Sequence, residues 1–294
     1  MSLTAKAESL NVTITEAIEA LAGETDAVKQ DEMFKAWLRS ASRFYKYSWG
    51  NQLLIAAQCS NATQVAGFNT WRSMGRFVQK GQKAIYILAP IVRRSRETDE
   101  PQVGDAEQKT PQRKSVAGFR AATVFDVSQT DGEPLPKAPE HNATEGGQDL
   151  LPKLESVVAS FGVRLNYEAV PGRAEGYSTG GLIVIEESHP VPAKCGTIAH
   201  ELAHELLHQG ENAKKGTKQQ RELEAEAVAF VVLEHFGMRS GSQFYLHSYG
   251  ITGEMLTGSM QTIAATARQI IVRIEGTGDN REEAEEESAL PLAA

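Results

Sequence analysis

Residues 131–148, from Asp131 to Gln148, contain three prolines, three glycines and no run able to form a core, and they divide the 294-residue chain in two. A segment of this kind stays extended and exposed, so the lengths on either side must each find their own way to bury apolar residues. The predicted class is therefore α+β with two domains, over residues 1–130 and 149–276. Residues 277–294, with Glu282-Glu283 and Glu285-Glu286-Glu287, read as an acidic disordered tail. Charge divides at the same place. Residues 1–130 carry 17 Lys+Arg against 13 Asp+Glu, whereas 131–294 carry 13 against 25. Between Met33 and Arg96 there are eleven basic residues and no acidic one. A stretch so one-sided, and rich in Trp and Tyr, predicts a surface that meets a polyanion.

Other function classes are excluded. No run of about 18 apolar residues exists, so no membrane span is expected. The N-terminus lacks the basic-then-apolar order of a secretory signal. Cys59 and Cys195 lie far apart and fit no disulfide framework, so a cytoplasmic location is expected.

Periodicity places the elements. In the first half, Ile14, Ala17, Ile18 and Leu21 mark one helix. A second, capped by Asp31, carries Phe34, Trp37, Leu38, Ala41, Phe44 and Tyr45. A third spans Ser48 to Gln58, and a helical turn surrounds Trp71. Strands follow at Ala84–Arg93 and Val116–Val127, joined by a polar loop, 97–115, that reads as mobile. In the second half, a helix (Leu150–Phe161) leads to a strand (Val163–Tyr167), a hairpin at Gly176–Gly181 and a strand at Leu182–Glu186. Long helices at Ala193–His208, Lys218–Phe236 and about Gly258–Ile274 complete it.

The second half carries the chemistry. His200 and His204 lie four apart on a helical stretch, so both imidazoles leave one face a turn apart and can reach one ion at roughly 2.0–2.1 Å. Zinc is the expected ion. Glu201, beside the first histidine, can take a proton from a water held there without binding the ion, and is the expected general base. Apolar Ile198, Leu202, Leu206 and Leu207 set this helix into a core. The strand before it is expected to serve as the edge on which a peptide pairs. A third ligand is sought in Arg221-Glu222-Leu223-Glu224-Ala225-Glu226. Glu222 and Glu226 share a face, so Glu222 is the preferred ligand and Glu226 the group that orients a histidine, with Glu224 the rival. His208 reads as a supporting residue or helix cap, and Tyr177 as packing or as a donor to the reacting carbonyl.

In the first half, base stacking on aromatic faces and phosphate contacts to Arg and Lys predict binding of single-stranded DNA. The expected contacts are Arg43, Lys46, Tyr47, Asn51, Trp71, Arg72, Arg76, Lys80 and Lys83. For Trp71, core and stacking roles weigh about equally; Trp37 and Phe44 are assigned to the core.

Tyr47-Ser48-Trp49-Gly50-Asn51-Gln52-Leu53-Leu54-Ile55-Ala56, Val65-Ala66-Gly67-Phe68-Asn69-Thr70-Trp71, Gly75-Arg76-Phe77-Val78-Gln79-Lys80-Gly81 and Ile87-Leu88-Ala89-Pro90 together resemble the single-stranded-DNA-binding domain of ArdC antirestriction proteins. The His200–His204 motif and Glu222–Glu226 resemble the metallopeptidase domain of that family and, more distantly, ImmA/IrrE-like gluzincins. The resemblance implies a mobile-element protein that shields incoming DNA from restriction during conjugation, with a gluzincin-like peptidase acting on an unknown protein substrate. Two other readings stay open: a regulatory protease that cleaves a repressor or DNA-bound protein, and a DNA-binding module with a purely structural zinc.

Overall fold

The structure is a computed structural model and describes residues 3–94, 114–135, 147–172, 174–210, 216–238, 244 and 252–276. Most of the expected loop 97–115, part of the segment 131–148 and the tail 277–294 lie outside the described residues.

The first half opens with α1 (Leu3–Gly23), α2 (Ala27–Arg43) and α3 (Trp49–Gln58). α2 starts earlier than expected. Asp26 is its N-cap, accepting from the backbone N–H of Val28 and Lys29, whereas Asp31 lies inside the helix, pairs with Lys35 and accepts from Phe244 N–H. Both aspartates suit a helix start; Asp26 sits where the first amide donors need an acceptor. Next come β1 (Val65–Ala66), α4 (Phe68–Ser73) and β2 (Arg76–Val78). The long hairpin strands β3 (Ile85–Arg94) and β4 (Lys114–Asp126) pair antiparallel from Ile85↔Val124 onward. β4 also pairs with β1, and β5 (Thr130–Gly132) pairs with β2, so the beginning of the Pro/Gly-rich segment is strand rather than linker.

The second half holds α5 (Leu151–Ser160), β6 (Arg164–Glu168), β7 (Gly176–Ser178), β8 (Leu182–Glu186), α6 (Val191–Leu207), α7 (Lys218–His235) and α8 (Gly253–Glu275). Its sheet has the order β6-β8-β7, with β6 parallel and β7 antiparallel to β8. β8, with Ile183, Val184 and Ile185 buried, is the central strand, and the edges are β6 and β7. This corrects the expectation that the strand before the histidine helix is the edge. A continuous apolar run such as β8 marks a strand covered on both faces.

The packing runs across both halves. Leu10, Ile14 and Ile18 of α1 and Phe34, Trp37 and Leu38 of α2 join one buried cluster with Phe230 and Val231 of α7 and Met260, Ile263 and Ile271 of α8. A second, smaller cluster, with Ile55, Ile85, Ile87 and Val124, lies between α3 and the hairpin. Polar ties reinforce the larger contact. His235 donates from Nδ1 to Ser42 O (2.8 Å) and from Nε2 to Glu275 (2.9 Å), Tyr45 donates to the same Glu275, and Arg268 donates to Lys46 O. Among the described residues, no helix is long and apolar enough to cross a membrane.

Candidate metal centre

α6 and α7 lie side by side, with Ala225 and Ala229 buried on α7. Small side chains there let the helices approach, and the approach brings both histidines of α6 against the first turns of α7. His200 Nε2 and His204 Nε2 are 3.1 Å apart, and each is 3.6 Å from Glu222 Oε2. Tetrahedral ligands held at roughly 2.0–2.1 Å from an ion lie about 3.3 Å from one another, so the three atoms have the separations a cation imposes. They form a group of potential metal ligands whose atoms all lie within 4.8 Å of one another.

The surrounding hydrogen bonds fix which ring nitrogens carry hydrogen. His200 Nδ1 meets Glu226 at 3.0 Å. A carboxylate only accepts, so Nδ1 donates and Nε2 presents its lone pair. His208 Nε2 meets Glu224 at 3.0 Å and donates for the same reason. Its Nδ1 is then an acceptor, 3.0 Å from His204 Nδ1, which must donate and leave His204 Nε2 as a lone pair. With both imidazoles neutral, two lone pairs and a carboxylate oxygen converge with no hydrogen between them. Either a metal ion or a proton on His200 Nε2 satisfies that arrangement, and the residues fit a metal ion.

Glu226 thus stands behind His200, and His208 behind His204. Glu224 does not approach the converging atoms. Its carboxylate accepts from Ser259 of α8 (2.7 Å) and Gln220 (3.0 Å) as well as meeting His208. This relay escapes sequence reading because its outer member comes from a helix 35 residues away. His208 also caps α6 through its backbone N–H to His204 O.

Electrostatics match the roles. Glu222 is held down at about 2, chiefly by its hydrogen bond with His200. His200 is pushed up to about 9, because Glu222 and Glu226 outweigh the burial that lowers it. His204 is pushed down to about 4 by burial and by the neighbouring histidines. Glu201 is raised, first by burial, and accepts a hydrogen bond from Ser178. At 9% exposure it is nearly enclosed, yet it lines a cleft of about 510 Å³ together with His200, Gly176 and Thr197.

β7 forms the wall of this cleft. Glu175 O accepts from Glu186 N–H and Thr179 N–H donates to Leu182 O, so those residues face β8. By antiparallel alternation the backbone groups of Gly176 and Ser178 turn to the open side. Gly176 is required for close approach: a Cβ there would lie 2.8 Å from Thr197 Cγ2 and 2.7 Å from Val184 O. The next turn is pinned to α6, since Gly180 and Gly181 N–H both donate to Glu205. Tyr177 alternates to the face opposite α6, so Ser178 is the polar neighbour of Glu201. Cys195 is a buried thiol that donates to Gly147 O.

The structure redistributes the expected DNA contacts. Trp71 is 2% exposed and its indole N–H donates to Phe125 O, so its faces are core and not open to a base. Asn51 is buried and clamps β3, donating to Leu88 O and accepting from Leu88 N–H. Arg76 spends its guanidinium on Thr130, Gly132 and Glu133, fastening β2 to β5. Arg43 donates to Ala62 O, and Tyr47, half-buried, donates to Val65 O. Lys46, Arg72, Lys80 and Lys83 are exposed. The exposed aromatic rings beside them are Phe68 and Phe77, at 38% and 59%. Phe77 alternates outward between Arg76 and Val78 in β2. That period-two pattern was the available signal, obscured by the shortness of the strand.

A His-Glu-x-x-His helix faced by a glutamate helix beneath a small mixed sheet defines a metallopeptidase-like domain. Residues 158–234 match the IrrE N-terminal-like domain of peptidase M78, and residues 6–125 match the N-terminal domain of the anti-restriction factor ArdC. With the two in this order, the chain is similar to ArdC anti-restriction factors in its first half and to IrrE-like peptidase domains in its second. An uncharacterized protein of Bacillus anthracis, pXO2-81, is 27% identical over 240 residues, covering 67% of this chain and 39% of that protein. The chain thus spans about two fifths of that relative's length. Crystal structures of the antirestriction protein ArdC from plasmid R388 are similar at low identity. The metal-free form gives a TM-score of 0.46 at 17% identity, over 78% of this chain and 85% of that one. The Mn(II)-bound form gives 0.44 at 16%, over 82% and 96%.

Proposed function

We propose that the chain is an antirestriction-type protein that binds single-stranded DNA with little sequence preference, carries a zinc-dependent peptidase site and protects incoming mobile-element DNA during conjugation. The observation that carries the peptidase reading is the convergence of His200 Nε2, His204 Nε2 and Glu222 with Glu201 standing beside them in an open cleft. Two imidazoles and one carboxylate suit zinc and leave a fourth position open, as a catalytic site requires. The ion, when bound, lowers the pKa of water and polarises a carbonyl. Glu201 takes the proton from the attacking water and returns it to the leaving amine; its raised pKa suits both transfers. Ser178 fixes the rotamer of that carboxylate, and the outward backbone groups of Gly176 and Ser178 align an extended peptide along β7. A purely structural zinc would need no such base beside an accessible cleft.

On the other half, Phe77 and Phe68 supply faces for bases while Arg72, Lys80 and Lys83 meet phosphates. Stacking contributes roughly 1–3 kcal/mol per base and is sequence-tolerant. The test is Glu201→Gln in the full chain. Metal content stays at one ion per chain by elemental analysis, single strands still bind, and hydrolysis of a peptide library stops. Loss of the ion in Glu201→Gln would make Glu201 a ligand and sink the mechanism.

A further inference from the structure

Away from the metal centre, a cavity of about 180 Å³ opens where the end of α2 meets the end of α3. Ala36, Ala56, Ala62 and Phe44 give it an apolar side, and Ser40 and Ser60 also line it. Arg39 and Arg43, one helical turn apart, stand at its side, and Cys59 forms part of its wall. A guanidinium offers five donors; Arg43 uses one on Ala62 O, which holds the side chain in place and leaves the others for a ligand. No carboxylate occurs between Met33 and Arg96 in the sequence, and Asp126, which acts on the neighbouring Cys59, is occupied by Thr63 N–H, Gln64 N–H and Ser128.

An apolar side next to two forked cations suits a flat ring joined to a phosphate. The volume falls below the roughly 300–1,000 Å³ of drug-sized sites, which leaves room for a single ring system. An acidic peptide side chain would satisfy the arginines and leave the apolar side wet. We propose that this cavity is a pocket for one nucleobase of a single strand, with the adjoining phosphate held by Arg39 and Arg43. The inference rests on the single-strand reading above but assigns it a site, distinct from the Phe68–Phe77 surface. A strand lying over stacking faces then has one base inserted, which fixes its position on the protein without reading its sequence.

Cys59 makes the pocket testable in the full chain. Both cysteines are free, but Cys195 is buried whereas Cys59 is partly exposed. Burial and Asp126 raise the Cys59 thiol, so alkylation is followed at mildly alkaline pH. The probes are oligo-dT and an abasic strand of equal length, which carries the same phosphates without bases, each at saturating concentration. Oligo-dT should slow Cys59 alkylation about tenfold, and the abasic strand much less, as expected for one buried base. Ala36→Trp, at an exposed α2 position, should fill the cavity and weaken oligo-dT binding about tenfold while leaving the abasic strand unaffected. The Cys59 adduct of the wild-type chain, whose fold is unaltered by mutation, should show the same selective loss. Equal protection by both strands, or oligo-dT that binds while Cys59 reacts freely, would overturn the pocket alone. Stronger protection by an acidic peptide than by oligo-dT would replace the nucleotide with a protein partner. Failure of the wild type to bind either strand would overturn the DNA reading and the pocket together.

Discussion

His208→Phe removes the middle of the relay from Glu224 to His204. The ring volume is kept, but two hydrogen bonds disappear, each 3.0 Å long in the structure. Glu224 retains Ser259 and Gln220, so its buried carboxylate is not orphaned and the fold survives. His204 loses the acceptor that holds its tautomer and ring orientation. Removing a partner of this kind typically lowers metal affinity about 10–100-fold, or about 1.4–2.7 kcal/mol. His208→Gln is the matched control: its amide oxygen accepts from His204 Nδ1–H while its NH2 donates to Glu224, preserving both links. Competition titration of zinc against a chromophoric chelator measures the two variants. The expected order is wild type near His208→Gln, with His208→Phe at least tenfold weaker. Affinity in His208→Phe within about twofold of wild type would show that the relay is packing and nothing more.

Glu222→Ala should lose zinc on dialysis, whereas Glu224→Ala should retain it with lower affinity; the reverse order would exchange ligand and support. Phe77→Ala should narrow the preference for single strands over duplex in a gel-shift, while Lys80→Ala should weaken both and flatten the salt slope by roughly 0.7–0.9 for one lost phosphate contact. If Phe77→Ala leaves that preference intact, stacking occurs elsewhere. Glu275 is held at about 2 against an ordinary 4.5, first by its hydrogen bond with His235. A depressed carboxylate adds stability that is full above its unfolded pKa and fades as pH falls through the folded value. Glu275→Gln should therefore flatten the loss of melting temperature between about pH 4.5 and 2, and an unchanged acid limb would remove Glu275 from the account.

Helices with a strong apolar period were legible in the sequence, as were the convergence of two imidazoles with Glu222 and the support of His200 by Glu226. These follow from spacing on a single helix or a pair of faces. What was not legible depended on partners distant in the chain. Asp26 and Asp31 look alike as caps until Phe244 claims the second. Trp71 looks like a stacking residue until Phe125 O takes its N–H, and Arg76 looks like a phosphate ligand until β5 arrives to receive it. β8 reads as an edge only while β7, three residues long, is invisible to periodicity. Composition marks which residues are able to meet a ligand; the pairing of remote backbone decides which are left over to do so.

The covalent seam at 131–148 and the packing seam are in different places. α1 and α2 share their buried side with α7 and α8, and α8 in turn carries the serine that steadies the metal relay. Ligands that bind only the folded state raise its stability by mass action. On the proposed function, a metal ion at α6 and a strand of DNA over α2 and α4 would act on one folding equilibrium. Each would protect the other's site from unfolding, even with no change of shape passing between them. Zinc loading should accordingly make the DNA-binding half harder to proteolyse, and a bound strand should slow the escape of zinc wherever that escape requires unfolding.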